Sequence, residues 1–358
     1  MPSLKEIKGR INSISSTLAI TSAMKMVAAA KLQKAQMAIQ NMLPYERRLH
    51  SMLIDLMGAM NISAAASEDG SVRGSGSAER GFDQSGDRLS LSNRHDLAGM
   101  DGAYSLMAQR EVRKVAIVAF ASNSSLCGAF NSNVIREATA VINEYRASGL
   151  GDADITVYSV GRKMAEAMKK LGFPSPADFT KMSDSPSYDA ASALAQELLD
   201  GFVSGRFDKV ELVYNHYKST SSQPTIRQTY LPLSLADATA DLQAGKIADS
   251  ASESDTNRGA EPVGAPVVRQ GSPTTEDLIV EPSKEELIAT LLPKVVRLRV
   301  FTTLLDSTAA EQAARTVAMQ LVTDNGNDLL QELTLEYNKG RQQKITSEIL
   351  DLVGGSMQ

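Results

Sequence analysis

From Leu4 to Met60 apolar side chains recur at alternating steps of three and four: Leu4, Ile7, Ile11, Ile14 and Leu18, then Ala28, Leu32, Ala35, Ile39, Met42, Leu49, Leu53, Leu56 and Met60. That period is a heptad seam, so the segment is expected to be one long helix lying against another. A second helix-favouring stretch runs from Ser283 to Val353. Unbroken, these segments would be on the order of 85 to 105 Å long, more than a small globular domain can bury. The simplest partner for the seam is the other end of the same chain, which makes the molecule a rod with a domain attached partway along. Two prolines, Pro44 and Pro293, predict a kink or break in each helix. Thr21, Lys25 and Glu46 stand at seam positions where an apolar residue is expected. There the seam either lies at the surface or meets a different partner. The alanine-rich run DSTAAEQAARTVAMQ in the second helix should pack closely on the first, because small side chains let helix axes approach.

Between the ends the period changes. VRKVAIVAFA, DITVYSV, DKVELVYNHY and PTIRQTYLPL read as strands, with helices near Ser132 to Ser148, Arg162 to Leu171 and Asp189 to Ser204. These are βαβ units closed by an antiparallel pair, a small Rossmann-like α/β domain with mostly parallel strands. Two stretches, Ser63 to Gln109 and Ala236 to Thr275, are rich in Gly, Ser, Asp and Ala and read as loosely ordered insertions. The expected fold class is therefore α/β, a long coiled coil of the terminal helices plus this sheet domain. The expected division is 1–61 N-terminal coiled-coil helix, 62–110 low-complexity insertion, 111–235 α/β domain, 236–275 low-complexity insertion and 276–358 C-terminal coiled-coil helix.

Composition sharpens this picture. Aromatic residues make up 5% of the chain and Trp is absent, as suits a helical rod packed with aliphatic and small side chains. The net charge is −5, yet the first fifty residues carry Lys5, Lys8, Arg10, Lys25, Lys31, Lys34, Arg47 and Arg48 against Glu6 and Glu46. A basic helix suits nucleic acid, an anionic membrane or an acidic protein surface, or is simply a solvated face. Nucleic-acid binders interleave such charge with stacking aromatics, and Leu4 to Met60 holds only Tyr45, so no nucleic-acid partner is expected. No run approaches eighteen apolar residues and the N-terminus lacks a signal-peptide core, so the chain is expected neither to be exported nor to span a membrane by itself.

Candidate chemistry is sparse. His50, His95 and His216 show no metal-ligand spacing. The loop SNSSLCGAFNSN links a strand to a helix as a phosphate cradle would, but has one Gly and neither GxGxxG nor GxxxxGK. The single cysteine, Cys127, has no identifiable base and reads as a half-buried structural residue. No cofactor, metal or catalytic residue is expected. The residues taken alone describe a noncatalytic protein that touches other proteins; a doubly wound enzyme is the weaker alternative.

Three blocks carry a resemblance: SLKEIKGRINSISSTLAITSAMKMVAAAKLQKAQ, LCGAFNSN, and AAEQAARTVAMQ followed by TDNGNDLLQELTLEYNKGRQQKITSEILDLVGG. Together they resemble the gamma-subunit family of the rotary ATP synthase. The resemblance implies that the terminal helices form an antiparallel coiled coil, the central rotor shaft, standing inside a ring of alternating alpha and beta subunits. It also implies that the sheet domain and shaft base sit on the membrane c-ring with the epsilon subunit. On this reading the chain couples ion flow to ATP synthesis or hydrolysis by rotation, without catalysis of its own, as a peripheral part of a proton-translocating complex on the cytoplasmic face of the bacterial inner membrane. The resemblance points to Met24 and Lys25, beside an acidic lever loop of beta, and to Arg341 and Gln342 in NKGRQ as ring contacts. Lys25 is expected to face that acidic surface rather than the partner helix. Ile345, Glu348 and Ile349 belong to an apolar tip with Leu350, Leu352 and Val353, and Asp351 adds a second acid. The chain departs from the family pattern at Asn123, Ser124 and Ser125, where Asp-Arg-Gly is usual, and at Thr316, where Met is usual.

Overall fold

The computed structural model describes residues 3–59, 106–233 and 284–356. Helix α1 (Leu4–Ala59, 56 residues) and the C-terminal helix α6 (Lys284–Ser356, 73 residues) are about 84 and 110 Å long at 1.5 Å per residue. They run antiparallel: Leu4 faces Gly340, Leu18 faces Gly326, and Leu32 and Ala35 pack with Ala309 and Ala313. The buried and half-buried positions of α1 follow the seam from Leu4 to Leu53. The alanine-rich run of α6 packs on α1 as its small side chains predict. Neither Pro44 nor Pro293 interrupts its helix. An interior proline costs about 3 kcal/mol, and here packing on both sides offsets it, with Leu49 and Leu53 beyond Pro44 and Leu292, Val295 and Val296 around Pro293 all buried.

Between the helices lie β1 (Val115–Phe120), α2 (Phe130–Ala147), a 3-10 turn at Asp152–Asp154, β2 (Ile155–Val160), α3 (Arg162–Lys170), α4 (Thr180–Asp184), α5 (Tyr188–Val203), β3 (Lys209–Asn215) and β4 (Thr225–Leu231). The sheet order is β2-β1-β3-β4, parallel for the first three strands and antiparallel for β3–β4. The strands expected from the sequence are all present; the short helix α4 was not foreseen. VAIVAF is buried along its whole length because parallel strands are covered on both faces. Val115, Ile117 and Ala119 face α2 and α3, where Val134, Ala138, Ile142, Met164 and Met168 are buried. Ala116, Val118 and Phe120 face α5, the first turns of α6 and the end of α1. The shaft helices are thus the third layer of the sheet domain. At the β2–α3 turn, Gly161 has φ 96°, and a Cβ there would lie 2.0 Å from the Ala121 carbonyl oxygen, so no larger residue fits.

Of the two expected insertions, residues 63–105 and 236–275 lie outside the described residues. Leu106, in the last part of the first one, is buried in the core, and its carbonyl accepts a hydrogen bond from Leu233 N–H at 2.9 Å.

Candidate functional site

The polar residues of the α1 seam are not turned to solvent. The Thr21 and Thr323 hydroxyls share a hydrogen bond at 3.3 Å, and Thr302 Oγ1 donates to Glu46 Oε1 at 3.1 Å. Lys25 Nζ donates to Gln320 Oε1. All three therefore meet polar groups on α6 itself. In the chain by itself, half-buried in the seam, the Lys25 ammonium takes this acceptor because an unpaired charge there would be costly.

One residue earlier in the chain, Met24 is 40% exposed, flanked along one outer stripe by Ile20 at 58% and Val27 at 57%. Steps of four and three put these three on one face, a second apolar stripe outside the seam. The sequence carried that signal, but the seam pattern masked it. On the facing part of α6, Val317, Leu321 and Val322 are also exposed. Lys5, Lys8, Lys31 and Lys34 are exposed along α1. Within this set Arg10 makes an ion pair with Glu6 at 3.1 Å, both ends largely solvated.

Arg341, Gln342, Ile345, Glu348 and Ile349 lie elsewhere. Arg341 is some twenty residues along α6 from Gln320, so the structure separates the Lys25 station from the Arg341 station by about 30 Å of helix rather than joining them. Past Gly340, which faces Leu4 near the start of α1, helix α6 runs on to Ser356, about 24 Å further, with no helix beside it among the described residues. Every residue from 341 to 350 is exposed. Ile345 and Ile349 are 48% and 53% exposed, and Leu350 and Leu352 are 65% and 74% exposed. Large exposed apolar patches, as a class, mark surfaces that another surface covers. Glu348 pairs with Lys344 at 3.8 Å, a solvated i,i+4 contact that contributes little. Lys339, Gln342, Gln343, Thr346, Ser347 and Leu350 line one side of the helix as an open, shallow groove.

The loop after β1 packs against the shaft. In a doubly wound sheet, ligands bind beyond the C-terminal ends of the strands where the order reverses, here between β1 and β3. That position is filled by protein: Cys127 and Phe130 after β1 and Tyr217 after β3 close on Ala310 of α6. Cys127 is 1% exposed, more deeply buried than its sequence context indicates, and Asn131 Nδ2 contacts its sulfur at 3.1 Å. Arg315 ties the shaft to the same loop by donating to Ser124 Oγ at 2.7 Å, and it pairs with buried Glu311 at 2.7 Å. Burial pushes the Glu311 carboxyl upward, and Arg315 offsets part of that shift.

On the far side of the sheet, Glu211 is 1% exposed and accepts from Tyr145 at 2.6 Å, Arg227 at 2.7 Å and Lys209 at 2.7 Å. Burial alone would raise its pKa, but the hydrogen bonds from Arg227, Lys209 and Tyr145 together hold it below the ordinary range. Among the described residues, no group of three or more His, Cys, Asp or Glu is placed to hold a metal, and no helix is long and apolar enough to cross a membrane.

The geometry describes a two-helix rod with exposed apolar stretches and a sheet end closed by protein. The ATP synthase family profile matches residues 3–357. The chain is 46% identical over 357 residues to the ATP synthase gamma chain of Phocaeicola vulgatus, and 45% identical over 358 residues to that of Bacteroides thetaiotaomicron. Both alignments cover 100% of each chain. Among solved structures it is similar to a chain in the rotational state 3 structure of the Euglena gracilis mitochondrial ATP synthase, described as OSCP/F1/c-ring. The TM-score is 0.52 at 19% identity, covering 99% of this chain and 93% of that one, a likeness of fold.

Proposed function

The chain belongs to the ATP synthase gamma-chain family, the central-stalk rotor subunit of that complex, and from that premise we propose which surfaces do the work. The upper part of the α1–α6 pair stands inside a ring of alternating alpha and beta subunits. The sheet layer and the shaft base rest on the membrane c-ring beside the epsilon subunit. The protein is then peripheral to the membrane, on the cytoplasmic face of the bacterial inner membrane. It performs no bond chemistry: ion flow turns the shaft, and the shaft's asymmetric surface sets the states of nucleotide sites held by the ring.

The observation that carries this reading is the end of α6, which no other helix accompanies among the described residues. A single helix that leaves its coiled-coil partner at Gly340 and presents Ile345, Ile349, Leu350 and Leu352 to solvent is built to be enclosed by another surface. An apolar tip can turn inside an apolar collar without strong directional bonds to break. Before it, Arg341 and Gln342 supply donors and an acceptor for one angular position. Met24 and the exposed stripe around it form a second ring contact lower on the shaft, with Lys25 adding positive charge for an acidic beta-subunit loop.

The test is reconstitution of the full chain with alpha and beta subunits, followed by disulfide trapping. Cysteines introduced at Met24 and at Ile345 should each cross-link to ring subunits, and a bead on the sheet domain should rotate during ATP hydrolysis. A ring that assembles and hydrolyses ATP with the bead stationary, or cross-links that leave hydrolysis undiminished, would overturn the proposal.

A further inference from the structure

We propose that His216 and Asp306 form a pH-sensitive latch fastening the β3–β4 hairpin, and with it the sheet layer, to the shaft. The dipeptide His216–Tyr217 leaves the end of β3 and meets three elements at once. Asp306 of α6 grips it with both carboxylate oxygens: Oδ2 lies 2.6 Å from His216 Nδ1, and Oδ1 accepts the Tyr217 backbone N–H at 2.9 Å. The Tyr217 hydroxyl accepts from Gln36 Nε2 of α1 at 2.7 Å. The Tyr217 ring packs beside Leu32, Ala35, Ala309 and Ala313 on one side and Cys127 and Phe130 on the other. His216 N–H donates to the Pro224 carbonyl at 2.9 Å, closing the base of the hairpin loop. A change in the grip of Asp306 is therefore felt by the hairpin, the sheet and both long helices.

The imidazole is 44% exposed and the carboxylate 19%, so protons reach the pair while its acceptor is partly shielded. The charged groups acting on His216 are Asp306 from α6 and Lys218 from its own loop; α1 contributes the neutral Gln36 at this junction, and the β4 side contributes the Pro224 carbonyl. The hydrogen bond to Asp306 is the largest influence and raises the imidazole above its ordinary value, against smaller opposition from burial and Lys218. A raised histidine stabilises the folded form fully below its unfolded value of about 6.5 and loses that contribution as pH rises through the folded value. The latch is thus tight in mildly acidic conditions and slackens from near neutrality upward. Neutral imidazole can still donate from Nδ1, so the change is a graded weakening.

The test uses the full chain. The titration midpoint of His216, followed by NMR of its ring carbons, should lie above about 6.5 and should fall in Asp306→Asn, which keeps an acceptor but removes the charge. Hydrogen exchange at residues 217–223 is compared between the parent and His216→Gln at pH 6 and pH 8, which cancels base catalysis. The protection advantage of the parent should shrink about fivefold between the two pH values, the difference between a charge-assisted and a neutral hydrogen bond. A midpoint at or below the ordinary value, or an advantage equal at both pH values, overturns the latch. If Asp306→Asn does not fold, the midpoint in the parent chain decides alone.

Discussion

Leu18 of α1 projects into the gap left by Gly326 of α6: a Cβ on that glycine would fall 2.6 Å from Leu18 Cδ2 and 3.2 Å from its Cγ. Two heptads away the relationship recurs, with Gly340 placing an added Cβ 3.1 Å from Leu4 Cδ2. In both places a leucine enters a notch in the opposite helix, and the pair of notches fixes the axial register of the coiled coil.

The notch makes a double-mutant prediction. Alanine in place of a helical glycine gains about 1 kcal/mol of helix propensity, whereas overpacking costs about 1 to 3 kcal/mol. Gly326→Ala alone should therefore be neutral to destabilising in thermal melts. In a Leu18→Ala background the clash is gone, and the same substitution should stabilise by about 1 kcal/mol. Equal effects in the two backgrounds would remove Leu18 from the explanation.

The Lys25 substitution separates fold from coupling. In Lys25→Glu the carboxylate meets the Gln320 carbonyl oxygen, and it can draw the Gln320 NH2 only by taking it from Asp324, which accepts it at 2.7 Å, so the full chain should stay folded but melt about 1 to 3 kcal/mol below the parent. Its complexes with the ring should lose coupling between ATP hydrolysis and rotation, because the charge offered to an acidic loop is reversed. A chain that unfolds while its few assembled complexes stay fully coupled would make the lysine a residue of the fold.

How much of this was legible in the sequence follows from which interactions are local. The heptad seam, the four strands and the helices α2, α3 and α5 rest on periodicity within one segment, and all were readable. Helix α4 was not, since the five residues TKMSD are too short to show a period. The polar matches Thr21–Thr323, Lys25–Gln320 and Glu46–Thr302 join residues hundreds of positions apart, and they appear only once the antiparallel register is known. For the same reason Lys25 looked like an unpaired ammonium, and Gly326 had no facing Leu18 to explain it. The stations at Met24 and Arg341 came from resemblance; their 30 Å separation and the end of α6 past Gly340 came from geometry.

Glu211 predicts a dependence on acid. Its folded carboxyl lies below the usual range, so its contribution is present above the unfolded value of about 4.3 and is lost as pH falls through the folded value. Glu211→Gln leaves Arg227 and Lys209 partly unpaired against a buried position, and at neutral pH it should cost about 3 to 5 kcal/mol in denaturant melts. The gap between parent and variant should narrow as pH is lowered below 4. A constant gap would place the cost in shape rather than charge.

Arg341 tests whether the exposed end of α6 works through specific bonds or through shape alone. It is exposed, one residue past the Gly340 notch, and no side-chain hydrogen bond or ion pair among the described residues holds its guanidinium. Arg341→Ala should therefore leave the melting of the isolated chain within about 0.5 kcal/mol. If the guanidinium engages a ring acceptor at one rotary angle, its removal forfeits roughly 1.5 to 3 kcal/mol in that state and almost nothing in the others. Such a loss changes the population of a single intermediate by roughly tenfold to hundredfold, read as slower ATP hydrolysis or as a missing dwell in single-molecule rotation. The substitution Arg341→Lys keeps the charge without the planar fork, so it should restore only part of the effect. Complexes of normal stoichiometry in which Arg341→Ala turns with unchanged rate and dwell distribution would leave the apolar tip and the stripe around Met24 as the carriers of torque.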